Sequence, residues 1–177
     1  MVLHANLLES WEKAVIAIAI LFVVVYFCLV YYSLKSLFYF KKRLKSYEVS
    51  IKMAVVETIT LIRELAKSCD YQLDEETSDK LEKIEVSAAN NEVKGCYKEV
   101  LVIYSTLFNK LKGQNNDENR LLEINNNLLL QKEIDKLYQK ALFYHNADLT
   151  GYNYWVKFIP TKPFTLMFKF KKRDSIY

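Results

Sequence analysis

Histidine, cysteine and the carboxylates are the side chains most able to hold a metal, move a proton or attack a substrate at neutral pH. This chain holds two histidines, His4 and His145, and three cysteines, Cys28, Cys69 and Cys96. Two histidines rule out a multi-histidine metal site. No cysteine pair forms Cys-x-x-Cys, and an odd count does not make a disulfide framework. The three read as small hydrophobes in a reducing compartment, Cys28 within an apolar run and the others on helical stripes. His145 and Asp148 stand at i,i+3 on a helix, which predicts a polar pair inside a packed interior. Cys69 or Cys96 with His145 as its base would be a nucleophile pair in principle, but no local motif accompanies them. There is no Gly-rich phosphate loop, and the acidic runs Asp74–Glu76 and Glu82–Glu85 read as solvated faces. The expectation is a chain with no catalytic residue, no cofactor and no metal.

Elements able to position these residues are long and few in kind. Only 3 Gly and 2 Pro occur, and both prolines, Pro160 and Pro163, lie near the C-terminus. Sheets need many tight turns, and turns need such residues, so the sequence predicts an all-α chain. Ala14 to Leu34 carries no charge. At helical rise its roughly 21 residues cover about 31 Å, the thickness of a bilayer's hydrocarbon core. Its β-branched content would suit a strand in water, but in lipid only a helix satisfies its own backbone. Trp11 at one end and Tyr31, Tyr32, Phe38 and Tyr39 at the other resemble interfacial belts. Glu9, Glu12 and Lys13 precede the run, and Lys35, Lys41, Lys42, Arg43 and Lys45 follow it. That is the pattern of an uncleaved anchor rather than a signal peptide. The excess of cations behind the span places the N-terminus outside and the remainder in the cytoplasm of a bacterial cell.

Four helical stretches follow. Leu44, Tyr47, Ile51, Ala54, Val55, Ile59, Ile62, Leu65 and Cys69 recur at three- and four-residue intervals in the first, which continues from the span. The second starts after Asp74 as N-cap and carries Leu81, Ile84 and Ala88. Residues 89–95 read as a loop. Val93, Tyr97, Val100, Leu101, Tyr104, Leu107, Phe108 and Leu111 stripe the third, with Gly113 as its C-terminal cap. The fourth runs from about Asp117 to Phe158. Ile124, Leu128, Ile134, Leu137, Tyr138, Ala141, Leu149, Tyr152, Trp155 and Ile159 form its apolar side, Asn125 to Asn127 weaken or bend its start, and Pro160 ends it. The predicted fold is a transmembrane helix followed by an antiparallel up-and-down four-helix bundle, in which Tyr104 and Tyr138 are buried. Fusing the second and third stretches would give three long helices instead. The predicted domains are a short extracytoplasmic segment over 1–13, the span over 14–34, a cytoplasmic helical bundle over 35–160 and a basic aromatic tail over 161–177.

Charge is laid out in blocks. Between Ser46 and Gly151 stand 13 basic and 18 acidic residues, whereas Lys35–Lys45 and Tyr152–Tyr177 are strongly basic. Two basic blocks around an acidic body argue against a nucleic-acid binder and suit contact with an anionic surface. In the tail, Trp155, Phe168 and Phe170 interleave with Lys169, Lys171, Lys172 and Arg173, a mixture suited to a lipid interface.

The stretch from His145 to Pro160 resembles the C-terminal signature of LemA-family proteins. Tyr152, Asn153 and Pro160 match it outright, Asn146 and Leu149 match in kind, and His145 and Ile159 replace Tyr and Phe. Phe164 to Phe168, Lys169–Phe170 and Lys171–Arg173 align with the family's apolar run, Gly-Phe and basic tail. The resemblance covers the last third of the chain and the N-terminal anchor. It fades in the first cytoplasmic helix, where only Thr58 to Leu61–Ile62 parallels the family's Leu-Ile-Pro-Asn-Leu. It implies a membrane helix, an antiparallel four-helix bundle, and Asn146, Tyr152 and Asn153 fixing the register between helices. It implies no enzymatic activity.

The function this predicts is that of a non-enzymatic membrane-anchored scaffold or regulator, with the lipid bilayer and other proteins, or a second copy of the chain, as partners. The alternatives are an accessory subunit of a membrane enzyme and a phage- or plasmid-encoded immunity or exclusion protein.

Overall fold

The structure is a computed structural model and describes residues 2–90, 95–114, 118–158 and 162–176, with side chains from Trp11 onward. The described residues form helices and turns only: α1 (Val2–Ser68), α2 (Glu75–Ala89), α3 (Cys96–Gln114), α4 (Glu118–Lys157) and a short α5 (Lys162–Met167). Val93, Asp117, Ile159 and Pro160, to which the sequence assigned roles, lie outside the described residues.

α1 is one uninterrupted helix, and its N-terminal part is long and apolar enough to cross a membrane. Every side chain from Trp11 to Leu29 is exposed. Ser68 ends α1, and Asp70 reverses the chain at φ 51, with the Tyr71 amide donating to the Ala66 carbonyl at 2.8 Å. This is a Schellman turn built on a residue other than glycine. Asp74 caps α2 as expected: the Thr77 amide and hydroxyl donate to its carboxylate and hold its pKa below the usual carboxylate range. α2 and α3 are separate elements. Asn90 caps the end of α2, and Gly95 enters α3 at φ +83, a conformation that favours glycine.

Two expectations fail locally. Gly113 is not a cap, because α3 continues through it to Gln114. Asn125 to Asn127 do not delay α4, which is helical from Glu118.

The chain divides into two compact units, residues 42–149 with 174–177, and residues 1–41 with 150–173. The first contains a core of Ile51, Val55, Ile59, Ile62 and Leu65 from α1, Leu81, Ile84 and Ala88 from α2, Tyr97, Val100, Tyr104 and Leu111 from α3, and Ile124, Ile134 and Tyr138 from α4. Tyr104 and Tyr138 are buried, as are Cys69 and Cys96. Tyr97 and Tyr138 stack with ring centroids 3.7 Å apart. Side-chain bonds fall in reverse order along paired helices. Lys52 and Arg63 of α1 reach Ala89 and Glu85 of α2, while Tyr97 and Tyr104 of α3 meet Gln131 and Asn127 of α4. Leu61 of α1, and Asp70 in the turn just past its end, likewise meet Asn127 and Arg120 of α4. Each of these pairs is therefore antiparallel.

In the second unit Val30, Ser33 and Leu37 of α1 are buried, and Gly151 of α4 admits the Phe40 ring so closely that a Cβ there would lie 2.8 Å from its Cζ. Lys169 takes φ 53 after α5, with the Phe170 amide donating to the Thr165 carbonyl at 2.8 Å.

Candidate functional site

Two groups of polar side chains are held in place by the fold. In the first unit, α1 and α4 bring together Arg43, Tyr47, Glu48, His145 and Asp148. Asp148 is buried, and its Oδ2 lies 2.9 Å from Arg43 Nε. The Arg43 guanidinium also donates to the Tyr47 hydroxyl, at 3.1 Å from Nε and 2.7 Å from the second nitrogen. His145 is almost fully buried, and its Nε2 stands 3.8 Å from Glu48 Oε1. The expected His145–Asp148 pair is thus replaced by two contacts across the helices, Arg43 with Asp148 and His145 with Glu48. A side chain three residues away on the same helix shares a face but must point along it, whereas Arg43 on the facing helix comes within ion-pair distance of the carboxylate. Burying Asp148 requires that compensation, since an unpaired buried charge is costly.

Beside this cluster runs a groove of ≈ 360 Å³ lined by Tyr47, Met53, Ala54, Glu57, Leu137, Lys140, Ala141 and Tyr144. Ser50 also lines it, its hydroxyl donating to the Ser46 carbonyl at 3.2 Å, and the lining offers apolar surface with a carboxylate and an ammonium but neither histidine nor cysteine. Among the described residues no group of three His, Cys, Asp or Glu side chains could hold a metal.

Deeper in the same unit the Tyr104 hydroxyl donates to Asn127 Oδ1 at 2.9 Å, and Asn127 Nδ2 donates to the Leu61 carbonyl at 3.2 Å. Gln131 Nε2 donates to the Tyr97 hydroxyl at 3.3 Å. Burial raises the Tyr104 pKa to about 12 and pushes those of Tyr97 and Tyr138 up as well. These phenols stay protonated donors in a dry interior. The hydroxyls of Tyr104 and Tyr97 tie α3 to α4, and Tyr138 adds its ring stacked on Tyr97.

The second group forms in the unit made of residues 1–41 and 150–173. Asn153 Nδ2 donates to the Arg173 carbonyl at 2.9 Å, and the Arg173 amide donates back to Asn153 Oδ1 at 3.0 Å. The Tyr152 hydroxyl donates to the Lys171 carbonyl at 3.1 Å. These two residues, expected to fix register between helices, instead clamp the backbone of the tail. Tyr152 is nearly fully buried and Asn146 is half-buried. Of the tail aromatics, Phe170 is buried against Phe38, 5.2 Å between centroids, with Lys41 Nζ over its ring. A buried ring cannot be the lipid contact that the sequence suggested. Trp155 is half-buried and meets Tyr32 edge-on, while Phe168 stays exposed beside Phe38. Lys169, Lys171 and Lys172 are exposed and Arg173 is half-buried, its guanidinium over the Tyr152 ring. Of the five cations behind the span, Lys35, Lys41, Lys42 and Lys45 are exposed, while Arg43 is committed to Asp148.

Sequence reasoning missed Asn127, Gln131 and the Arg43–Asp148 pair. Besides Leu149, the buried positions of α4 are Ile124, Asn127, Gln131, Ile134, Tyr138, Ala141, His145, Asp148 and Tyr152, which alternate steps of three and four. That is the spacing of a coiled-coil seam. Following only apolar residues stepped off this seam to Leu128, which is half-buried, and Leu137, which is exposed. An unbroken three-four alternation carried through the polar residues of α4 reaches Asn127, Gln131 and Asp148; Arg43 stands on α1, off this seam.

Compared with protein-family models, curated proteins and solved structures, the chain finds no match.

Proposed function

We propose that this is a non-enzymatic, single-pass membrane protein of LemA-like plan, a scaffold or regulator that presents an antiparallel four-helix bundle to partner proteins at the cytoplasmic face of a bacterial inner membrane. The observation that carries the reading is the contrast along α1. Its side chains from Trp11 to Leu29 are exposed although nearly all are apolar, while from Val30 onward the helix buries one face. So long an apolar surface suits lipid and is costly in water. The antiparallel pairing of α1 with α2, α3 with α4 and α1 with α4 supports the up-and-down bundle. Its polar interior groups are spent on holding helices together, which supports a structural rather than a chemical role. The groove between α1 and α4, apolar with Glu57 and Lys140 in its lining, is the surface best suited to a protein partner.

Reporter fusions test the topology. A reporter active only in the cytoplasm should work after Tyr177 and be silent before Met1, and neutralising Lys35, Lys41, Lys42 and Lys45 together should scramble that result. Activity from the N-terminal fusion would refute the orientation. A photo-crosslinker at Leu137, in the groove, should trap one recurrent protein in cells, whereas one at exposed Asn109 should not; the absence of any such adduct would sink the scaffold reading.

A further inference from the structure

We propose that the tail is a second membrane contact, in which Leu166, Met167 and Phe168, flanked in sequence by exposed lysines, rest among the headgroups of an anionic bilayer. This rests on the reading that residues 14–34 cross that bilayer. Three observations converge on it.

The first is what the tail exposes. α5 and the turn behind it bury Thr165 and Phe170, yet leave Leu166, Met167 and Phe168 at 73%, 64% and 45% exposure. Three successive apolar side chains face outward on a segment whose underside is packed. The segment is held: Thr165 Oγ1 donates to the Lys162 carbonyl, and Tyr152 and Asn153 fix the backbone at Lys171 and Arg173. A rigid backbone loses little further entropy on docking.

The second is charge. From Ala14 to Lys41 and from Thr150 to Arg173 there are eight basic residues and no acidic one. Lys162, Lys169, Lys171 and Lys172 flank the exposed apolar triplet in the sequence, and all four are exposed. Cations around a small apolar patch match an anionic headgroup layer, where the rings and thioether enter and the ammonium groups stay at the phosphates.

The third is depth. Phe168 meets Phe38 edge-on with 6.0 Å between centroids. Phe38 is four residues past Leu34, the end of the apolar run, and so stands about 6 Å further along the helix. That is the thickness of the headgroup layer beyond the hydrocarbon core.

The full chain, reconstituted in nanodiscs of phosphatidylcholine with or without phosphatidylglycerol, provides the test. With Cys69 and Cys96 replaced by serine, a spin label on native Cys28 reports the span. In a second version, with Cys28→Ser added, a label on Leu166→Cys or Phe168→Cys reports the tail. Accessibility to oxygen and to a water-soluble nickel chelate is then compared. The Cys28 label should be oxygen-accessible and shielded from nickel in both discs. The Leu166 label should become so in anionic discs alone and lose that protection in high salt. Replacing Lys162, Lys169, Lys171 and Lys172 by glutamine should weaken docking about fivefold per charge removed. An embedded Cys28 label with a water-exposed Leu166 label in anionic discs overturns the tail contact and leaves the anchor standing. A water-exposed Cys28 label overturns the anchor itself. Equal burial of Leu166 in neutral discs, unchanged by salt, overturns the anionic specificity, and protection conferred by a soluble polyanion without lipid would assign the patch to nucleic acid instead.

Discussion

Replacing Asn127 with alanine should destabilise the helical core by about 1 to 3 kcal/mol. Asn127 is 8% exposed and joins three helices, accepting from the Tyr104 hydroxyl of α3 and donating to the Leu61 carbonyl of α1. Alanine leaves the Tyr104 hydroxyl buried without an acceptor, at about 1 to 3 kcal/mol. It also takes a second donor from Leu61, a smaller loss because that carbonyl lies within the helical ladder of α1. Alanine's better helix propensity returns about 0.6 kcal/mol. Urea unfolding of the full chain in non-ionic micelles, followed by far-UV circular dichroism, reads the difference. Tyr104→Phe alone should cost less, because it removes the orphaned group itself. The double variant should fall short of the sum by about 1 kcal/mol, the coupling of groups in direct contact. An Asn127→Ala protein within about 0.5 kcal/mol of the parent, or strict additivity with Tyr104→Phe, would show that the bond does not hold these helices together.

Lys169→Gly should stabilise the tail by about 0.5 to 1 kcal/mol, since φ 53 strains a side-chain-bearing residue and not glycine; reduced amide exchange at Phe170 would show it, and faster exchange would contradict it. Arg43→Met should cost about 3 kcal/mol by stranding the Asp148 carboxylate. Arg43→Met with Asp148→Leu should recover most of that in the same unfolding assay, and an equal loss in the double variant would deny the pairing. Alkaline stability should depend on Tyr104, whose folded pKa of about 12 exceeds its ordinary value near 10. Between those values the unfolded chain releases a proton that the folded chain keeps, so this contribution is intact below pH 10 and is lost as pH rises toward 12. Unfolding titrations should therefore fall less steeply over that window in Tyr104→Phe, and parallel curves would refute the assignment.

How much of this was legible differs by element. The span, the Asp74 cap and the burial of Tyr104 and Tyr138 follow from local rules, because an uncharged run, a carboxylate ahead of two acids and an apolar stripe each act through near neighbours. The turn at Lys169 was not legible, since its left-handed conformation is imposed by the packing of Phe170 and the clamp at Tyr152 and Asn153. Nor was the partner of Asp148: Arg43 lies 105 positions away, in a basic cluster that reads in the sequence as a single block of charge. Asn127 and Gln131 were passed over for a related reason. Polar residues on a buried seam look like interruptions until the hydroxyls of Tyr104 and Tyr97 are seen opposite them. In the tail, packing divides the aromatics that the sequence grouped together, with Phe170 turned inward and Phe168 outward.

Membrane anchorage by the apolar part of α1 is tested most directly by alkaline carbonate washing of membranes that carry the full chain. The parent should stay in the pellet. Phe22→Asp with Val25→Asp places two charges near the middle of the span, at about 5 to 7 kcal/mol together, and should release the chain to the supernatant. A parent chain found in the supernatant, or a double variant retained as firmly as the parent, would contradict anchorage by this helix.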